Sequence, residues 1–259
     1  MHNHLNKKVE MIKDELDQKL RSSGISDRIV DDIQVSSYNP YEYGMILQNA
    51  GYPIRFKKEN FLLADQIFRK IQFVSPDKAK PIILKNPPDF VSVSDIKSCF
   101  PNAKLILIAR DPLHVLNSQL KFWRFYYSKE TAVYSYIWRQ HERVHSSPLA
   151  TSLGKLFFSK PLGWRLLTSI STWSQERYLY SLSSLSTSDY VLVRYEDLCK
   201  HPNDTIQTIL SYLGLELSDK LDFRDLVQPR SPKLLPEILD NASIITRRLD
   251  PLNEFWGYA

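Results

Sequence analysis

The sequence is poor in cysteine and has no long apolar run. Cys99 and Cys199 are its two cysteines, too few for the disulfide framework that holds many small secreted domains together. No apolar stretch approaches the roughly 20 residues that a helix needs to cross a bilayer. Residues 1–20 carry too many charges for a signal peptide. We therefore expect two free thiols and a cytoplasmic protein.

An excess of acidic charge is also absent. The 259 residues include 34 Lys and Arg against 29 Asp and Glu, a formal net charge of +5. This balance suits an anionic ligand, although a mildly basic composition by itself identifies no partner. With 43% hydrophobic residues, the chain is long enough to bury the core of one large domain.

The most informative stretch begins with the apolar run Leu105–Ala109, which predicts a strand buried on both faces of a parallel sheet. Arg110 stands at the carboxyl end of this strand. Asp111 is a good N-cap and Pro112 a good first helical residue, so a helix should follow at once. Open α/β sheets bind ligands at this edge, and an arginine beside a helix N-terminus favours an anion. The pattern predicts a phosphate site.

A second cation follows a second predicted strand. Residues 81–84 form a short apolar run, and Lys85 comes directly after it. Cations at equivalent edges of two parallel strands would face the same crevice, which favours a polyanion site. A solvated lysine at a strand end is the alternative interpretation.

Four sequence blocks resemble one enzyme family. Arg110-Asp111-Pro112, with Ser118 eight positions after the arginine, resembles the 3'-phosphate motif of sulfotransferases that use 3'-phosphoadenosine 5'-phosphosulfate (PAPS). Further blocks of the broad bacterial-type sulfotransferase group are resembled, in the same order, by residues 36–53, by residues 81–90 followed by 100–103, and by residues 191–215. The resemblance covers about residues 33–215. An unrelated α/β protein with a chance Arg-Asp-Pro is the alternative.

The resemblance implies a P-loop-like three-layer α/β fold, in which helices flank a central parallel sheet. We expect one domain over residues 1–259. Residues 146–172 match no part of the family pattern and are interpreted as a variable insertion, and residues 218–259 as a loop-rich tail.

The resemblance also implies a reaction, the transfer of a sulfuryl group from PAPS to a hydroxyl or amine acceptor without a metal. PAPS and an unknown acceptor would be the partners, with no nucleic acid. Arg110 and Ser118 would anchor the 3'-phosphate, and Lys85 would contact the sulfonate or the 5'-phosphate bridge. Tyr195 would contact the adenine. Some relatives close the 3'-phosphate site with a basic loop near the C-terminus. The basic pair Arg247-Arg248 resembles that loop and would add to the 3'-phosphate site.

The general base that takes the acceptor proton has two candidates. Glu42 falls where the family's acidic block has its first glutamate, but Tyr43 and Gly44 replace the Asp and Glu that follow it. Asp89 lies four residues after Lys85, where relatives frequently carry a histidine. A carboxylate can act as a base when its site tunes it.

One family element has no counterpart that we can place, the first strand and the loop whose backbone amides cradle the 5'-phosphosulfate. The chain has seven glycines, and Ser22-Ser23-Gly24 follows a charged amphipathic pattern instead of an apolar strand. We therefore expect the first strand and its loop to be missing. The loop could be encoded upstream, a partner chain could supply it, or the protein could be a non-catalytic nucleotide-binding or interaction protein.

A remote alternative is a zinc hydrolase. His141-Glu142-Arg143-Val144-His145 matches the H-E-x-x-H pattern, which places two imidazoles on one helix face beside a glutamate base. Arg143 puts a charge where metalloproteases keep their helix uncharged. We interpret the segment as the solvated end of a helix.

Overall fold

The computed structural model describes residues 9–25, 35–37, 42–75, 77–128, 141, 144–159, 161–216, 221–227 and 233–258. The chain forms two compact units. The first comprises residues 1–54, 62–87 and 124–155, and the second comprises residues 55–61, 88–123 and 156–259.

The first unit is helical. Helices α1 (Val9–Ser22) and α2 (Gly44–Asn49) belong to it, with most of α3 (Phe61–Val74). Leu47 and Ala64 are fully buried, and the Tyr43 and Phe68 rings meet edge to face with centroids 5.1 Å apart. Apolar residues recur along α3 at the spacing of one helix face.

The strand predicted at residues 81–84 is wrong, since these residues have no regular secondary structure in the described part of the chain. Pro81 has no N–H to contribute to a ladder, and Ile83 is 75% exposed. The Asn86 side chain holds the segment instead, by donating to the Ile54 carbonyl at 3.0 Å. Lys85 therefore does not end a strand.

The second unit contains the described sheet. Strand β1 (Leu105–Ala109) pairs in parallel with β2 (Tyr190–Arg194). The surrounding elements are α4 (Val93–Cys99), α7 (Leu162–Leu182), α8 (Tyr195–Lys200), α9 (Pro202–Leu213), α10 (Pro236–Leu239), α11 (Ala242–Arg248) and α12 (Asp250–Trp256). Two further helices, α5 (Pro112–Ser128) and α6 (Pro148–Ser159), have residues in both units, and three short 3-10 helices lie at Lys58–Asn60, Pro87–Val91 and Phe223–Asp225.

The core of this unit lies against one face of the sheet. Leu107 packs with Val93, Tyr178 and Leu182, and the C-terminal Trp256 stacks on the Tyr178 ring with centroids 5.6 Å apart. The helices of residues 236–256 thus give order to a tail that the sequence predicts as loop-rich. Burial raises the pKa of the Tyr178 hydroxyl above its usual range.

The opposite face of β1 is not covered as the sequence predicts. Side chains of a strand alternate between the two faces, and Leu107 and Ala109 are buried while Ile108, between them, is 58% exposed. The prediction of a strand buried on both faces is therefore wrong. Within the described residues, β1 has helices packed on one face.

The helix predicted to start directly after Arg110 is confirmed. The Asp111 carboxylate accepts a hydrogen bond from the Leu113 amide at 2.8 Å and so caps α5, which begins at Pro112. At the other end of the chain, Gly214 closes α9 in the left-handed conformation with φ of 70°. Residues 148–159 and 162–172, predicted as part of an insertion, belong to α6 and α7.

The prediction of two free thiols is confirmed, at Cys99 and Cys199. In the part of the chain that the structure describes, no helix is long and apolar enough to cross a bilayer. The architecture is a helix-rich α/β fold with a small parallel sheet, in agreement with the predicted fold class.

Candidate functional site

Arg110 and Tyr195 lie side by side at the carboxyl edge of the sheet. The parallel register pairs Ala109, the last residue of β1, with Arg194, the last residue of β2. Arg110 and Tyr195 follow these two residues and therefore leave the sheet next to each other. The Arg110 guanidinium lies over the Tyr195 ring, 4.4 Å from its centroid. A cation held on an aromatic face is oriented and partly desolvated, which prepares it for an anion.

Glu196 connects this edge to the C-terminus. One carboxylate oxygen accepts a hydrogen bond from the Asp111 amide at 3.2 Å, and the other accepts from the Tyr258 hydroxyl. Burial and the hydrogen bond to Glu196 raise the pKa of Tyr258 well above its usual range. Tyr258 therefore stays protonated, as a donor, through the neutral pH range. Glu196, which lies outside α5, therefore holds the backbone of the turn that follows Arg110.

Arg194 adds a second connection to the C-terminus. Its guanidinium donates to both Asp197 carboxylate oxygens at 2.7 and 3.1 Å, and to the Gly257 carbonyl at 2.8 Å. The hydrogen bonds from Arg194 lower the pKa of the Asp197 carboxyl below its usual range. Arg194 is thus a structural cation.

The bond from Tyr258 gives a testable expectation. Removing its hydroxyl in Tyr258→Phe leaves the Glu196 carboxylate with one donor fewer, and should destabilise the protein by about 1–2 kcal/mol. Urea unfolding measures the change. Tyr180→Phe is the matched control, because Tyr180 is 82% exposed. Equal stability of both variants would contradict a supporting role for the C-terminal contact.

Ser118 lies on the exposed surface of α5, next to a buried asparagine. The Asn117 side chain accepts from the Leu235 amide at 2.8 Å and donates to the Lys233 carbonyl at 3.4 Å. Lys121, one turn after Asn117, also donates to the Lys233 carbonyl, at 3.1 Å. Residues 233–235 therefore run beside the predicted phosphate-binding serine.

The basic pair predicted near the C-terminus, Arg247 and Arg248, occupies the last turn of α11, and both side chains are exposed. Their helix is anchored by the fully buried Ile245. Their predicted role in phosphate binding stays a prediction.

Lys85 and Glu42 are brought together in the first unit. The Lys85 ammonium lies 3.4 Å from the Glu42 carboxylate, with the lysine side chain 66% exposed and the glutamate 21% exposed. The Asn86 amide, bonded to the Ile54 carbonyl, fixes the chain directly after Lys85. Two residues that the family resemblance assigns to the same chemistry thus form an ion pair.

Asp89 has a buried position on the 3-10 helix Pro87–Val91. Its carboxylate accepts a hydrogen bond from the Phe56 amide at 2.6 Å. Phe56 itself is fully buried. Asp89 therefore fixes the backbone of the segment that precedes α3.

A comparison with known protein families shows to which family this chain belongs. A model described as "Sulfotransferase family" matches residues 50–219, about two thirds of the chain. The chain belongs to the sulfotransferase family. Searches among curated proteins and among solved structures give no significant match. The matched residues of this sulfotransferase include Lys85, Asp89, Arg110, Ser118 and Tyr195, but not Glu42.

The His141 and His145 rings of this sulfotransferase lie tilted against each other, with centroids 4.2 Å apart. His141 is fully buried, so the prediction that this segment is the solvated end of a helix is wrong at this residue. The His145 Nε2 atom is within 2.9 Å of the Tyr126 carbonyl, so a backbone group contacts one of the two ring nitrogens that could bind zinc. Glu142, the glutamate of the motif, lies outside the described residues. Among the described residues, no group of three or more metal-ligating side chains is placed to hold a metal ion.

Sequence reasoning missed three contributors to the candidate site: Glu196 as the acceptor for Asp111, Tyr258 as its second donor, and Asn117 as the anchor of residues 233–235. The partners of Glu196 lie 85 and 62 residues away along the chain. No local signal marks such partners. The Arg194–Asp197 pair does have a local signal, because two residues at the i, i+3 spacing are typical of an ion pair.

Proposed function

We propose that this sulfotransferase transfers a sulfuryl group from PAPS to a hydroxyl or amine of its acceptor. The observation that carries the proposal is the position of Arg110, which stands at the carboxyl end of a parallel strand and lies on Tyr195, within the family match. This is the edge at which open α/β sheets bind their ligands.

Arg110 and Ser118 would bind the 3'-phosphate of the donor. A planar guanidinium suits phosphate because two of its N–H groups can donate to two phosphate oxygens. Helix α5 starts between the two residues, and its capped N-terminus adds a favourable field for an anion. Tyr195 would pack against the adenine, and Arg247 and Arg248 would add positive charge.

Lys85 and Glu42 would act on the transferred group and the acceptor. The two-thirds exposed Lys85 ammonium can exchange its contact with Glu42 for the sulfonate oxygens. Glu42 would then accept the proton of the acceptor as the new S–O or S–N bond forms and the bond from sulfur to the 5'-phosphate oxygen breaks. Positioning and electrostatic stabilisation would supply most of the rate enhancement.

Between the two candidate bases, the contacts favour Glu42 over Asp89. The Asp89 carboxylate is buried and holds the Phe56 amide at 2.6 Å, so a proton on it would weaken a structural hydrogen bond. Glu42 is partly exposed and its described partner is a mobile ammonium on a long side chain. We therefore assign the proton transfer to Glu42.

The test is a transfer assay with sulfur-labelled PAPS and a panel of hydroxyl and amine acceptors. With an acceptor in hand, Glu42→Gln should lower the rate of a single turnover by about 100-fold, because the loss of a general base typically costs 10²–10⁴-fold. Binding of the product adenosine 3',5'-bisphosphate should stay unchanged, because Glu42 contacts the acceptor side.

Glu176→Gln is the matched control, since Glu176 is exposed on α7. Full activity of Glu42→Gln would contradict the role of this residue as the base. Absence of labelled product with every acceptor in the panel would count against the enzyme assignment.

A further inference from the structure

A basic cleft lies in the second unit, formed by the segment before α3, the start of α4 and one side of α7. Its volume is about 450 Å³, which suits a small molecule or one end of a larger one. Its charged lining residues are Arg55, Lys57, Lys58 and Arg177, with Glu59 and Asp95. Four cations face two carboxylates, so these side chains give the cleft a net positive charge.

The segment that carries three of these cations is held by buried polar groups. The Asn60 side chain is nearly fully buried, accepts from the Lys57 amide at 3.0 Å and donates to the Arg55 carbonyl at 3.0 Å. The Asp89 carboxylate holds the Phe56 amide, and the buried Phe56 ring packs against Phe100. The backbone between the cations is therefore fixed before any ligand binds.

The fourth cation is also oriented. The Arg177 guanidinium lies over the Trp173 ring, 4.9 Å from its centroid, on the exposed side of α7. Within the cleft, Glu59 approaches Lys57 at 3.8 Å, a long and partly exposed contact. Such a contact is weak and easily exchanged for a ligand.

The two helices that line the cleft are hydrogen-bonded to each other. The Ser94 amide, near the start of α4, donates to the Ser181 hydroxyl of α7 at 3.2 Å. Arg177 precedes Ser181 by one turn of α7. The cleft residues of α4 and α7 are therefore held at a fixed spacing.

We propose that this cleft binds a group with several anionic oxygens, such as sulfate or phosphate esters, carried by the acceptor. The sulfotransferase would thus act on an acidic acceptor and hold it by charges already present on the molecule. The anion site stands on the geometry of the cleft, whereas its assignment to the acceptor rests on the proposed function.

The experiment measures binding of two probes to the full chain by calorimetry, sucrose octasulfate and inositol hexakisphosphate, with sucrose as the uncharged reference. The cleft variant is Lys57→Gln/Lys58→Gln/Arg177→Gln. The control variant, Lys19→Gln/Arg165→Gln/Lys200→Gln, loses the same charge at exposed positions outside the cleft. The single variant Arg177→Gln, on a helix surface, is measured in case the triple variant does not fold.

We expect the cleft variant to bind the charged probes at least about tenfold more weakly, because charge-assisted contacts are lost, and the control variant to bind them as the native protein does. The single variant should show a smaller loss in the same direction. Stronger binding of one probe over the other identifies sulfate or phosphate as the preferred group. Binding of adenosine 3',5'-bisphosphate should be equal in all proteins.

Equal loss in the cleft and control variants would overturn the proposal, since net charge alone would explain the binding. Loss of adenosine 3',5'-bisphosphate binding in the cleft variant would also overturn it, because the cleft would then belong to the donor site. Probe binding confined to the cleft, in a protein that does not bind adenosine 3',5'-bisphosphate, would refute the donor assignment and leave the anion site standing.

Discussion

Arg110→Ala should abolish the thermal stabilisation of this sulfotransferase by adenosine 3',5'-bisphosphate. At 100 times its dissociation constant, a ligand that binds the folded state stabilises it by about 2.7 kcal/mol. For a chain of this size that corresponds to a rise in the melting temperature of about 5–10 °C. The alanine variant should show none of this rise, because the guanidinium that would hold the 3'-phosphate is gone.

Arg165→Ala is the matched control for this measurement. Its guanidinium also lies over an aromatic ring, that of Trp164 at 5.5 Å, but it lies on α7 and not at the end of a strand. The control should keep the full rise in melting temperature. A rise that survives in Arg110→Ala would place the nucleotide elsewhere, and no rise in the native protein would contradict PAPS as the donor.

Gly44→Glu, which restores a residue of the family's acidic block, should unfold the protein instead of improving catalysis. Gly44 is buried, and an added Cβ would collide with the Ile54 carbonyl oxygen and lie 2.5 Å from the Asn86 amide oxygen. Overpacking against backbone costs about 1–3 kcal/mol, and a buried carboxylate adds several more. Gly44→Ala, without the charge, should lose about 2–3 kcal/mol in urea unfolding.

Gly51→Ala separates the collision from the general cost of replacing a glycine. Gly51 has a φ of +91° and open space around its Cβ position, so its substitution carries a backbone cost of about 1–2 kcal/mol and no collision. Gly44→Ala should therefore be the less stable of the two variants. The reverse order of stability would show that the Ile54 backbone can move away from a Cβ at position 44 without loss of stability. The same contact explains why this chain cannot carry the family's glutamate at position 44.

Signals confined to neighbouring residues predicted the strand Leu105–Ala109 and the helix cap at Asp111. Each depends on the conformational preference of a few adjacent residues, so it can be recognised in any chain. The apolar run at residues 81–84 carries a similar signal, yet no strand forms there in the described structure. A strand needs a neighbour for its backbone groups, and the sequence of the run does not specify one.

The candidate site likewise combines features that the sequence predicted with contacts that only the structure revealed. The motif around Arg110 and Ser118 was recognisable from residue identity and spacing, as was the position of Tyr195 after a strand. The contact of Arg110 with Tyr195 depends on the pairing of strands 85 residues apart, from Leu105 with Tyr190 to Ala109 with Arg194. The structure also showed that Asp89 supports a backbone amide, which its position in a family pattern could not reveal.

By itself, the sequence determined the family of this protein, its fold class and the cation at the carboxyl end of β1, since these depend on local patterns and their order along the chain. The tertiary structure alone decided which groups meet: Glu42 with Lys85, Glu196 with Asp111 and Tyr258, and the cations of the cleft with one another. The physical reason is that such contacts arise when distant segments pack to bury apolar surface and satisfy their polar groups.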